Sequence, residues 1–83
     1  MNTGSRKIKD KNIDRGVIIG YHPERKIKDK KLILGSNPRI RSGTVIYLGS
    51  KIGNNLQTGH NVVIREENTL GSDVCIWGNS VVD

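Results

Sequence analysis

Two histidines, one cysteine and one corner crowded with charge are the residues of this chain whose types could do chemistry. A neutral imidazole near pH 7 can take a proton from an attacking amine or hydroxyl. His60 lies between Gly59 and Asn61, a turn-forming context that projects the ring outward, and it is the candidate catalytic residue. The plain alternative is a solvent-exposed corner histidine. His22 sits beside Pro23 in an irregular stretch, where a structural role is expected. Cys75 has no second cysteine to pair with inside the chain, which fits a reducing, cytoplasmic setting and a surface thiol rather than a nucleophile. No metal is expected.

These residues are carried on a repeat of period six. From Leu34 the anchors are Leu34, Ile40, Ile46, Ile52, Thr58, Ile64, Leu70, Ile76 and Val82, all aliphatic except Thr58. A six-residue period held this long is a solenoid signature, and neither a helical period nor an isolated strand alternation produces it. Each hexad supplies a short strand, with the anchor facing in and its two neighbours facing out. Three residues after the anchor come Asn37, Gly43, Gly49, Asn55, Asn61, Glu67, Asp73 and Asn79. All but Glu67 tolerate a left-handed backbone well, so one such residue per corner is expected. Three hexads make an eighteen-residue coil. Leu34, Ile52 and Leu70 then stack, as do Ile40, Thr58 and Ile76, and Ile46, Ile64 and Val82. Leu56 beside the small Thr58 conserves core volume.

The corner Arg65-Glu66-Glu67-Asn68 departs from this pattern twice. Glu67 stands where Asn or Gly is usual, and Asn68 brings an amide inward, where it needs partners. Local rules fail most often at functional sites, so Arg65, Glu66 and Glu67 are candidate substrate contacts. The alternative is a longer turn with solvated glutamates.

The hexads resemble the hexapeptide-repeat acyltransferases, whose pattern is an aliphatic residue, Gly, two free positions and a small residue. The resemblance spans 33–82, and IGNNLQTGHNVVIREENTLGSDV is particularly similar to sugar-modifying N- and O-acetyltransferases. It implies an all-β, left-handed, three-sided parallel β-helix, usually trimeric. It further implies acetyl transfer from acetyl-CoA to a sugar or nucleotide-sugar amine or hydroxyl, with His60 as general base near a subunit boundary. No residue is assigned to the acetyl-CoA site. From Leu34 the repeat makes fewer than three full coils, so a truncated remnant, or the leading part of a longer enzyme, is a second reading. A non-catalytic β-solenoid module is a third. A zinc hydratase of the γ-carbonic anhydrase kind needs three histidine ligands, and this chain has two.

Composition agrees with a narrow solenoid. The 83 residues contain no phenylalanine, and only 34% are apolar, too few for a wide globular core. No apolar run approaches the roughly 18 residues of a membrane helix, and no signal peptide is evident. The organisation expected is a basic, partly disordered segment at 1–12 and a solenoid at 13–83, interrupted by a basic loop at 25–31. Ile13 and Ile19 begin the repeat, Pro23 takes a small-residue position as Pro38 does, and Ile19 to Leu34 spans two hexads plus three. Residues 1–31 hold ten Lys and Arg against four acids, while 32–83 hold four against four. That charge suits phosphate-bearing ligands or a solvated, aggregation-blocking end. Nucleic acid is not expected, because no aromatic platform accompanies it.

One face differs from the other two. Val45, Val63 and Val81 recur at eighteen on its outward side, with Tyr47 at the edge, where the other faces carry Arg39, Gln57 and Cys75, or Ile33, Lys51 and Thr69. Three valines in register on one face predict burial against other copies of the chain. A homotrimer is expected on the resemblance.

Overall fold

A computed structural model describes residues 12–83. The basic segment expected at 1–12 therefore lies, except for Asn12, outside the described residues. Ten short strands follow: β1 (Ile18–Tyr21), β2 (Ile33–Leu34), β3 (Arg39–Ile40), β4 (Val45–Tyr47), β5 (Lys51–Ile52), β6 (Gln57–Thr58), β7 (Val63–Ile64), β8 (Thr69–Leu70), β9 (Cys75–Ile76) and β10 (Val81–Val82). No helix occurs among the described residues. Successive strands visit three sheets in rotation, ordered β1-β4-β7-β10, β2-β5-β8 and β3-β6-β9. Every pairing is parallel. The arrangement is all-β and consistent with a parallel β-helix.

From Leu34 onward the eighteen-residue register holds. Leu34, Ile52 and Leu70 are in line, as are Ile40, Thr58 and Ile76, and Ile46, Ile64 and Val82. Ile40, Ile46, Ile52, Leu56, Val62 and Ile64 form the buried core, with Leu34, Leu70, Ile76 and Val82 half-buried in the end coils. Thr58 is buried as well, and its hydroxyl lies 3.3 Å from that of Thr44 and accepts from the Arg41 N–H. Thr44 Oγ1 in turn donates to the Gly59 carbonyl at 3.1 Å, so the polar atoms that replace methyl groups here are satisfied.

All eight expected corner residues have positive φ, six of them non-glycine. Side chains at one corner stack from coil to coil: the Asn37 amide donates to Asn55, and the Asn55 amide to Asp73, at 3.0 and 2.8 Å. Glu67 adopts φ 63° like the others. The spacing from Ile64 to Leu70 stays at six, so the chain makes no longer turn there.

The first coil corrects the expected register. Ile13 bridges Ile40 and Ile19 pairs with Ile46, each twenty-seven residues on, which is one coil of eighteen plus nine. Ile19 to Leu34 is therefore one hexad plus nine, not two plus three. The departure begins at Gly20, where the pairing slips by one residue before Tyr21 meets Tyr47. Gly20 has φ 98°, a value a glycine bulge accommodates easily. The slip takes Pro23 out of the hexad phase, so it does not repeat the setting of the buried Pro38.

Candidate functional site

His60 stands on the corner between β6 and β7, exposed, in a column with Ser42 above and Gly78 below. Its Nδ1 is 2.9 Å from Ser42 Oγ. Ser42 is itself fixed, because its backbone N–H donates to Asp14 Oδ2 at 3.1 Å, and Arg41 Nε donates to the same oxygen. The His60 carbonyl accepts the Asn79 N–H at 2.9 Å, which pins the backbone of the corner to the coil below. Nε2 has no protein partner among the described residues. An imidazole held by Nδ1 with Nε2 open to solvent can exchange a proton with a molecule at the surface. Ser42 lies eighteen residues before His60, so the repeat contained the signal for this pairing. Asp14 belongs to the irregular first coil and was not visible in the same way.

Arg65, Glu66 and Glu67 occupy the next corner, at the opposite end of β7, so one chain does not bring them to His60. Glu66 is buried, its side chain 2% exposed. Arg25 Nε donates to Glu66 Oε2 at 2.5 Å, and Arg65 Nε to Glu66 Oε1 at 3.1 Å. A second nitrogen of Arg25 reaches Glu67 Oε1 at 2.7 Å. For Glu66 the alternative of a solvated glutamate thus gives way to a carboxylate capped by two guanidiniums, while Glu67 stays exposed. A hydrogen bond from its own backbone N–H, then those from Arg65 and Arg25, hold the Glu66 carboxyl below the usual carboxylate range, against the opposing effect of burial. Asn68 finds the partners its inward amide requires, donating to the carbonyls of Arg65 and Val82 at 2.9 and 3.1 Å.

Arg25 comes from the nine-residue insertion, which lies against the stack rather than projecting from it. Asp29 accepts from Lys51 Nζ at 3.2 Å and from the Lys31 N–H at 2.9 Å. Ile27 and the Asp29 carbonyl close over Gly49. Residues of the insertion between His22 and Lys30 line a half-open cleft of about 380 Å³. On the neighbouring sheet face, Tyr47 meets Tyr21 edge to face at 5.1 Å and carries the Arg65 guanidinium 4.9 Å from its ring centre.

Cys75 is exposed, as its outward position predicts. Among the described residues no group of three or more His, Cys, Asp or Glu could hold a metal ion, and no helix is long and apolar enough to cross a membrane. Compared with protein-family models, with curated proteins and with solved structures, the chain matches none. Fold and site together define an all-β arrangement of parallel strands stacked in three sheets, with a polar corner at His60 and an ion-paired corner at Glu66.

Proposed function

We propose that the chain is an acetyl-CoA-dependent acyltransferase acting on a sugar amine or hydroxyl, built as the left-handed hexapeptide β-helix its repeat resembles and located in the cytoplasm. The observation that carries this reading is the Ser42–His60 contact on an exposed corner of the stack. With Nδ1–H donating to Ser42 Oγ, the Nε2 lone pair of His60 faces the solvent and accepts the proton of the attacking acceptor. The acceptor nitrogen or oxygen bonds the acyl carbon, the thioester C–S bond breaks, and the proton passes from His60 to the departing thiolate. Arg65 and Glu67 supply polar contacts to the acceptor, with Glu66 holding Arg65 in place. In a trimer closed through the β1-β4-β7-β10 face, both ends of β7 border the interface. His60 of one chain and the Arg65–Glu67 corner of the next then share a cleft.

A second reading has its own observation. Ser42–His60 follows the same eighteen-residue spacing as Ser36–Asn54 and Asn37–Asn55, whose roles are to link coils. On that reading His60 is a rung of a corner ladder in a non-catalytic solenoid module. Incubation with acetyl-CoA and a panel of amino sugars, following free thiol, separates the two. Turnover that drops a hundredfold or more in His60→Ala supports catalysis. Turnover unchanged in that variant removes His60 from the mechanism, and no turnover with any acceptor favours the module.

A further inference from the structure

We infer that the insertion between β1 and β2 is a binding site for a small organic phosphate, independent of the acyl-transfer reading. The solenoid does not need these residues: nine more than a coil requires are placed between Ile19 and Ile46. Nor are they a slack loop. Arg25 ties the insertion to Glu66 and Glu67, Asp29 ties it to Lys51, and Ile27 seats it on Gly49. A site held in shape before its ligand arrives avoids the ordering cost that weakens a flexible one.

The charge left over after this anchoring is positive. Residues 22–31 carry five Lys and Arg against two acids. Arg25 and Asp29 are consumed by ion pairs with the stack, whereas Lys26, Lys28 and Lys30 have no hydrogen bond or ion pair among the described residues. Lys26 and Lys30 both line the cleft, with Glu24 as the acid on its wall. Two lysines lining one concave surface raise the local concentration of anions, and their ammonium groups carry six N–H donors for phosphoryl oxygens. Pro23 and Ile27 give the same cleft an apolar side, which bare phosphate does not use and an attached organic group does. About 380 Å³ falls in the range of small-molecule sites and is more than a lone phosphate fills. Unpaired cations beside an apolar wall in a volume of this size fit a phosphate ester or a nucleoside diphosphate.

Calorimetric titration at fixed ionic strength with ADP, glucose 1-phosphate and inorganic pyrophosphate tests the assignment. ADP or glucose 1-phosphate is expected to bind about tenfold or more tightly than pyrophosphate, and whichever of the two binds tighter identifies the ligand as nucleotide or sugar phosphate. Lys26→Gln and Lys30→Gln should each weaken that binding about tenfold, while Lys28→Gln, outside the cleft lining, leaves it within twofold. All three lysines are exposed, so circular dichroism of the variants should match the parent. Failure of all three ligands to saturate would overturn the assignment. So would pyrophosphate binding as tightly as both organic phosphates, or Lys28→Gln weakening binding as much as the cleft lysines. A single-stranded oligonucleotide that binds more tightly than either organic phosphate, with equal loss from each lysine, would reassign the charge to a polyanion and equally overturn it.

Discussion

Arg25 Nε and Glu66 Oε2 are 2.5 Å apart across 41 residues of sequence, and this contact fastens the only insertion between described coils to the corner of another coil. Arg65 approaches the second oxygen of the same carboxylate. Because the folded-state pKa of Glu66 is depressed, its contribution to stability is fully present above the unfolded value and is lost as pH falls through the folded one. The loss therefore begins below about pH 4.3, the ordinary glutamate value, and is complete below the depressed value. Thermal melts between pH 7 and 2 should show the wild type declining over that window and Glu66→Gln starting lower at pH 7 with a flatter acid limb. Superimposable acid limbs would show that the pairing contributes nothing to folding.

The insertion should also be released from its other end. Gly49 has φ 91°, and a Cβ there would meet Ile27 Cδ1 and the Asp29 carbonyl at 2.7 and 2.9 Å. Alanine at this position is strained in backbone and crowded in space, at a cost of about 1–3 kcal/mol. Gly49→Ala is expected to lower the midpoint of chemical unfolding and to speed tryptic cleavage within 25–31 while the strands stay protected. Equal cleavage rates in the two proteins would mean that the insertion is not seated on this corner.

Ile46 and Ile64 are paired in register at the centre of the core, both fully buried. A narrow interior gives a truncated side chain few ways to relax. Ile46→Val should cost about 0.5–1.5 kcal/mol and Ile46→Ala about 2–5 kcal/mol, read from urea unfolding. The same changes at Ile76, in an end coil and half-buried, should cost less than half as much. A similar cost at both positions would contradict the burial gradient along the stack.

How much of this could be read from the sequence depends on the range of each interaction. Ile46, Ile64 and Val82 announced their stacking because the repeat makes every contact between them a fixed eighteen residues long. Glu67 could be placed at a left-handed corner despite its chemistry, since its seven counterparts defined the position. Asn68 was legible as an inward amide in need of partners, but its acceptors, the carbonyls of Arg65 and Val82, lie off the eighteen-residue period. Arg25 could not be matched to Glu66, because an insertion has no register and its partners are set by where the loop lands. The slip at Gly20 was hidden for a related reason: the nine extra residues displace everything before Leu34 by half a hexad, and only the pairing of Ile19 with Ile46 shows where they lie. His60 lies between these cases, since its partner was legible in the period while its chemistry is not a matter of spacing.

The same hidden phase concealed the extent of the apolar stripe. Val45, Val63 and Val81 are consecutive in their sheet, and Ile18 of β1 pairs with Val45, so four aliphatic side chains run along one outward face. Ile18 and Val81 are 46% and 62% exposed, while Val45 and Val63 are half-buried. Strand propensity accounts for any one of these residues, but the outward columns on the other sheets are Arg39, Gln57 and Cys75, and Ile33, Lys51 and Thr69. An aliphatic column confined to one face is suited to burial against other copies of the chain, and cyclic symmetry closes such a surface on itself. On the proposed acyltransferase reading that assembly is a trimer, so sedimentation at tens of micromolar is expected to give a trimer for the wild type and a monomer for Val63→Lys, whose ammonium would be buried at the centre of the contact. Thr69→Lys, on a different sheet, serves as the control and should remain trimeric. A monomeric wild type, or a trimer that persists in Val63→Lys, would reduce the column to strand propensity and remove the neighbouring chain from the proposed site at His60.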